Sequence, residues 1–249
     1  MECDRKTSGR GEWTSGTAPQ EHDVHKVKLE DDIVQIALQR RGRLRLFEAI
    51  DPKRAAHLVI DMQAGFMTPG APAEIAPAVE IIPNINRISA ACRQAGALNV
   101  FVQNSISEES KQSWSNWFGS FWTTDKREGM YSTFMVGQPG HALHPDILVE
   151  ASDMRINKFR FGTFVEGSSD LHERLRSRGV DTVIITGCAT NICCESTARD
   201  AMMLNYKVLF VSDGTATHTD FEHNNTLNNM MLTFADVLTT DDVIALLGA

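Results

Sequence analysis

From about residue 55 onward, short apolar runs rich in β-branched residues alternate with longer stretches of helical periodicity, and few folds accept that rhythm. The runs "HLVIDM" (57–62), "LNVFVQN" (98–104), "MRINK" (154–158), "TVIITGC" (182–188), "KVLFVSD" (207–213) and "ADVLTT" (235–240) read as strands. Between them, "IPNINRISAACRQAG", "SSDLHERLRSRG", "NICCESTARDAMMLNY" and "DFEHNNTLNNMMLTF" read as helices. Strands that are apolar on both faces and joined by helix-length crossovers imply a parallel sheet covered on both sides. The expected class is therefore α/β, a doubly wound parallel sheet with helices on both faces.

Size and charge limit what such a sheet can serve. A chain of 249 residues, 42% hydrophobic, can bury one substantial core but hardly two. A net charge of -8 is the wrong sign for a phosphate-backbone partner, so no nucleic acid is expected. No secretion signal opens the chain and no run of about 18 apolar residues follows. A cytoplasmic protein with no membrane partner is expected. Its five cysteines, an odd number in a chain of this size, are expected to be reduced. Residues 1–24 are polar and rich in Gly, Ser and Thr, the composition of a disordered tail. "LEDDIVQIALQRRGRLRLFEAIDP" then reads as a helix and an extended approach to the core. The expected division is an N-terminal extension over 1–50 and the main domain over 51–249.

In an open parallel sheet, ligands bind outside the carboxyl ends of the strands. Asp61 stands at the end of the first strand, Lys158 at the end of the third, and Cys193 just after the fourth. Each alone is unremarkable, since a strand-end Asp is often a turn residue and a strand-end Lys a solvated charge. Together they bring an acid, a base and a thiol to one edge. Of the three cysteines in "TGCATNICCEST", Cys193 falls in the first turn after an N-cap at Thr190 or Asn191, where the helix dipole would lower its pKa. Cys188 reads as a small hydrophobe ending a strand. Cys194, about 100° further round the helix, reads as packing on the sheet. No C-x-x-C pair supports a metal or redox cluster.

"VIDMQ", "NKFRFGTF" and "TGCATNICCESTARDA", in this order, closely resemble the motifs of the isochorismatase-like cysteine hydrolases over roughly residues 55–247. The resemblance implies a six-stranded parallel sheet and catalytic Asp61, Lys158 and Cys193. It also implies a cis peptide bond at Cys188–Ala189, and an oxyanion hole made by the backbone N–H groups of Ala189 and Cys193. A homo-oligomer, dimer or tetramer, is typical of the family. Nicotinamidase-type members carry histidines for a metal after the second strand. Here that stretch reads "FVQNSISEESKQ", so no metal and no cofactor are expected. Isochorismatases that cleave a vinyl ether generally lack the cysteine, which favours C–N hydrolysis.

Gln103, Asn104, Glu108 and the cysteine motif look most like the ureidoacrylate amidohydrolase branch, although Ile106 stands where that branch has an aromatic residue. The implied reaction is hydrolysis of a small linear amide, ureido or carbamoyl compound. Biuret-like, carbamoyl amino acid or nicotinamide-type substrates stay open, as does a catalytically silent binding protein. Asn104 either binds a ureido group or caps its strand. Gln63, Phe66, Phe161 and Phe164 either line the pocket or close the core at the sheet edge. His218 follows the fifth strand, and His141 and His144 have no evident partner ligands. The interruption at 105–153 carries "WSNWFGSFW", whose aromatics could form core, a subunit interface or a pocket wall.

Overall fold

The strand-rich half of each repeat pairs as its apolar character requires. Six strands form one sheet, β1 (Ala55–Ile60), β2 (Leu98–Asn104), β3 (Met154–Lys158), β4 (Thr182–Cys188), β5 (Lys207–Ala216) and β6 (Asp236–Leu238). Every pairing is parallel and the order across the sheet is β3-β2-β1-β4-β5-β6. The chain thus winds outward from β1 in one direction, returns, and winds outward from β4 in the other. Between β1 and β4 the two crossovers leave in opposite directions and open a crevice at the carboxyl ends. This computed structural model describes residues 25–248; the expected tail over 1–24, with Cys3, lies outside them.

Alternation along each strand sorts its side chains onto two faces. Leu58, Ile60, Val100, Val102, Val183, Ile185, Val208 and Phe210 pack on one side with Leu171, Leu175, Cys194, Ala198 and Leu227. Ile184, Leu209 and Val211 pack on the other with Ile88, Cys92, Val243 and Leu247. In chain order the helices are α1 (Asp31–Arg41), α2 (Ala64–Met67), α3 (Ile82–Ala95), α4 (Glu108–Ser113), α5 (Ser115–Ser120) and α6 (Thr124–Phe134). They continue with α7 (Leu171–Ser177), α8 (Glu195–Met203), α9 (Asp220–Asn229) and α10 (Thr240–Leu247). The helix α3 shows the local logic: Ile82, Ile85, Ile88, Ser89 and Cys92 bury one face, and Gly96 ends it in the left-handed conformation at φ 81°.

The helix expected before the sheet is α1, held by Arg40 and Arg41 donating to the carbonyls of Leu232 (3.0 Å) and Met231 (3.2 Å). The first strand is displaced from its expected span of 57–62 to 55–60, because Asp61 takes φ 57° and turns the chain out of the ladder. The run expected as one helix over 191–206 divides into a wide turn at Thr190–Cys194 and α8. The long interruption after β2 folds as α4, α5 and α6. Its two ends are stitched together at Ile106, whose N–H donates to Phe134 O at 2.9 Å and whose O accepts from Val136 N at 3.3 Å.

Candidate active site

Asp61 is placed by the end of β1. Its N–H still donates to Val102 O (2.8 Å), completing the ladder, while its positive φ swings the carboxylate out of the strand direction. Asp tolerates this region better than bulkier residues. The neighbouring strand comes close because Gly187 carries no side chain: a Cβ there would stand 2.0 Å from Ile60 O, and its own φ is 113°. Past Gly187 the Cys188–Ala189 bond is cis, and the chain enters a turn in which Cys194 N–H reaches back five residues to Ala189 O at 3.2 Å. That turn carries Cys193. Lys158, two strands away on β3, supplies the length needed to reach both.

The three groups meet. Lys158 Nζ lies 2.8 Å from Asp61 Oδ2 and 3.4 Å from Cys193 Sγ. Asp61 and Lys158 are fully buried and Cys193 is 5% exposed. The contact with Asp61 is the shortest the ammonium makes. The ammonium also lies within reach of Cys193 Sγ, Asn104 Oδ1 (3.5 Å) and Arg160 O (3.2 Å).

Burial opposes the Lys158 ammonium, but the Asp61 carboxylate and Cys193 outweigh it and hold its pKa above the ordinary value. Burial raises Asp61, with the Lys158 charge and the Cys193 thiol pulling it back only in part. Burial also raises the Cys193 thiol, reinforced by the Asp61 charge and opposed by Lys158. This corrects the expectation that a helix dipole lowers that pKa. Cys193 precedes α8, which begins at Glu195, and lies where desolvation of the thiolate dominates. Burial thus favours the neutral form of both Cys193 and Asp61, and the Lys158 charge opposes it at both.

Beside these groups is a cavity of about 260 Å³. Of the expected residues, Phe66, Asn104, Phe161, Ala189 and Cys193 line it. Gln63 and Phe164 do not, and both expectations are corrected. Gln63 is fully buried: its Nε2 donates to Asn104 O (3.0 Å) and His141 O (2.8 Å), and its Oε1 accepts from Asn104 N (2.7 Å). Its amide is spent pinning the backbone of Asn104, so it acts through that residue. Phe164 turns into the core, stacking on Tyr206 at 5.7 Å and meeting His172 edge-on.

Of the roles open to the aromatic stretch, two are filled at once: Trp114, Trp117, Phe118 and Trp122 line the cavity, and Phe118 is core with Trp114 and Trp117 packed against it; Phe121 points out, 70% exposed. His218, an exposed residue after β5, reaches the rim. Gly187 and Ile192 are not among the residues singled out from the sequence: Gly187, a glycine inside an apolar strand, is a sign of close backbone approach, whereas Ile192, which lines the cavity beside the Ile106 already noted, carries no such sign. Cys188 and Cys194 are buried as expected, and the four described cysteines are free thiols. Among the described residues, no three His, Cys, Asp or Glu side chains gather where a metal ion could be held, and no helix is long and apolar enough to cross a membrane.

Comparison with known proteins shows what the chain is similar to. Residues 55–242 match the model of the isochorismatase domain. The chain is 31% identical over 208 residues to ureidoacrylate amidohydrolase RutB of Caulobacter vibrioides, spanning 78% of this chain and 91% of that one. Among solved structures, an isochorismatase-like hydrolase from Alkaliphilus metalliredigens is 28% identical with a TM-score of 0.64, over 78% of this chain and 96% of that one. A cysteine hydrolase from Pseudomonas syringae pv. phaseolicola 1448A shares the fold at a TM-score of 0.71 and 23% identity, over 83% and 98% of the two chains. A match extending from the first strand into the last helix, together with a relative matched over most of its length, means that the chain belongs to the isochorismatase family.

Proposed function

We propose that the protein is a cysteine amidohydrolase that cleaves a C–N bond of a small linear amide or ureido compound through a thioester. The observation that carries this reading is the approach of Lys158 Nζ to both Asp61 Oδ2 and Cys193 Sγ, out of water and at the edge of a cavity. The amidohydrolase named among its relatives supports the bond type. In the first step the thiol proton passes to Asp61 while sulfur attacks the carbonyl carbon, forming a tetrahedral oxyanion. Backbone N–H groups of Ala189 and Cys193, both bordering the cavity, receive that charge. Asp61 then protonates the departing nitrogen as the C–N bond breaks, leaving a thioester.

Water attacks the thioester, giving its proton to Asp61, and the sulfur leaves with that proton. The product is an acid, or a carbamate that loses carbon dioxide. The raised pKa of Asp61 suits it to the exchange, since a carboxylate of ordinary basicity takes a thiol proton poorly. The ammonium of Lys158 stabilises whichever of its two neighbours is negative, so negative charge can move from carboxylate to sulfur without leaving its field. Asn104, held by Gln63 and 3.5 Å from the ammonium, offers an amide to the substrate's own.

The test is ammonia release from a panel of ureido acids, carbamoyl amino acids, biuret and simple amides, with mass spectrometry of the acid-quenched enzyme. Turnover lost in Cys193→Ala, with a substrate-derived mass adduct on Cys193 of the wild type, supports the reading. Turnover that survives Cys193→Ala would sink it.

A further inference from the structure

Granted the amidohydrolase reading, on which this inference rests, the walls of the cavity narrow the substrate class. At the reacting end the polar groups cluster: Asn104 and Cys193 both stand within 3.5 Å of Lys158 Nζ. Elsewhere the lining is dominated by rings. Phe161 meets Trp114 and Trp117 edge-to-face with centroids 4.8 and 4.9 Å apart, and Trp117 meets Trp122 edge-to-face at 5.4 Å. Ile106 adds aliphatic surface.

No Lys or Arg is among the lining residues; the ionisable side chains there, besides Cys193, are Glu74 and His218. Arg160 lies over Trp114 at 5.2 Å, but its guanidinium donates to Phe159 O (2.6 Å) and to Ser113 O and Oγ (3.4 and 3.0 Å). The Lys158 charge is matched by Asp61. A carboxylate seated among these rings would lose its water, find no Lys or Arg to replace it, and feel Glu74 besides. An uncharged ring would instead exchange water for aromatic faces.

We propose that the substrate is an amide or ureido compound whose remainder is uncharged and of aromatic size, and that ureido acids with a free carboxylate are poor substrates. The amide end meets Cys193 and Asn104, and the ring end packs on Trp114, Trp117 and Phe161.

Two ureas with the same two-carbon linker test this: 1-(2-phenylethyl)urea, and 3-ureidopropionate, which carries a carboxylate in place of the ring. Binding of each to the Cys193→Ala variant, measured by calorimetry, separates recognition from chemistry. The phenyl compound is expected to bind about tenfold tighter or more. Trp117→Ala in the same background should erase that advantage, and Glu74→Gln should improve only the carboxylate. Equal or tighter binding of 3-ureidopropionate overturns the proposal, as does binding of neither. Ammonia release by the wild type is read separately. If the phenyl compound binds with the expected preference yet neither urea is turned over and no adduct forms on Cys193, the amidohydrolase reading fails while the specificity stands.

Discussion

The reacting end of the cavity and its aromatic wall were assembled from opposite kinds of sequence. Asp61, Lys158 and Cys193 are far apart in the chain and are united by the topology of the sheet. Much of the wall comes instead from one short run, Trp114, Trp117, Phe118 and Trp122, carried on an arch between β2 and β3 and joined by Phe161 from beyond β3. A parallel sheet brings strand ends together whatever the intervening loops contain. An arch can change its side chains without disturbing that meeting. Chemistry and specificity are thereby separable, and mutations should show it.

The sharpest contrast is in rate. Cys193→Ala and Asp61→Asn should each lower kcat/KM for ammonia release by about 10³-fold or more, with binding of the phenyl urea to Cys193→Ala kept within a few-fold. Comparable losses of binding would mean that the two regions are not separable. In the wild type, the acid limb of kcat/KM should lie above the ordinary carboxylate value of about 4, because burial raises Asp61. A limb at or below that value would argue against Asp61 as the base.

Lys158→Met should be the most costly change in stability. It strands the buried Asp61 carboxylate, a penalty of about 3–5 kcal/mol readable as a drop in Tm or in the denaturant midpoint. Trp117→Ala probes the other region. It should raise KM about tenfold for a ring-bearing substrate and leave kcat within a few-fold. A large fall in kcat would tie the arch to the chemistry.

Acid should act through the sheet and its covering helices. Burial holds His57, on β1, and His223, on α9, neutral with pKa values lowered to about 3. Between that value and about 6.5 the unfolded chain binds more protons, so stability falls as pH falls through this window. Going from pH 7 to 5 should cost about 2 kcal/mol for each histidine, seen as a lower Tm. His57→Gln should flatten part of that dependence. The smallest effect belongs to Phe164→Leu, about 1 kcal/mol of stability with no change in KM, since this ring packs on Tyr206 outside the cavity. A change in KM would restore Phe164 to the pocket.

The legible parts were those with a local physical cause. Period-two and helical apolar patterns give elements, and the runs at 98–104, 154–158 and 182–188 match β2, β3 and β4 residue for residue. Boundaries shifted where backbone conformation intervened, as at Asp61, whose left-handed turn ends β1 early. Gln63 is placed differently from the pocket position expected of it, because a loop residue following a strand-end Asp reads as polar and available. Only the approach of Asn104 and His141 from two other segments shows that its amide is already committed.

What the sequence by itself determined is the parallel sheet and the placing of Asp61, Lys158 and Cys193 at the carboxyl ends of its strands, because strand spans and strand ends follow from apolar patterning. Only the tertiary structure decided that the thiol is buried and its pKa raised rather than lowered, that Phe164 faces inward, and that the tryptophans wall a cavity. Desolvation and side-chain direction depend on every neighbour at once, and those neighbours come from segments that no local window of the chain contains.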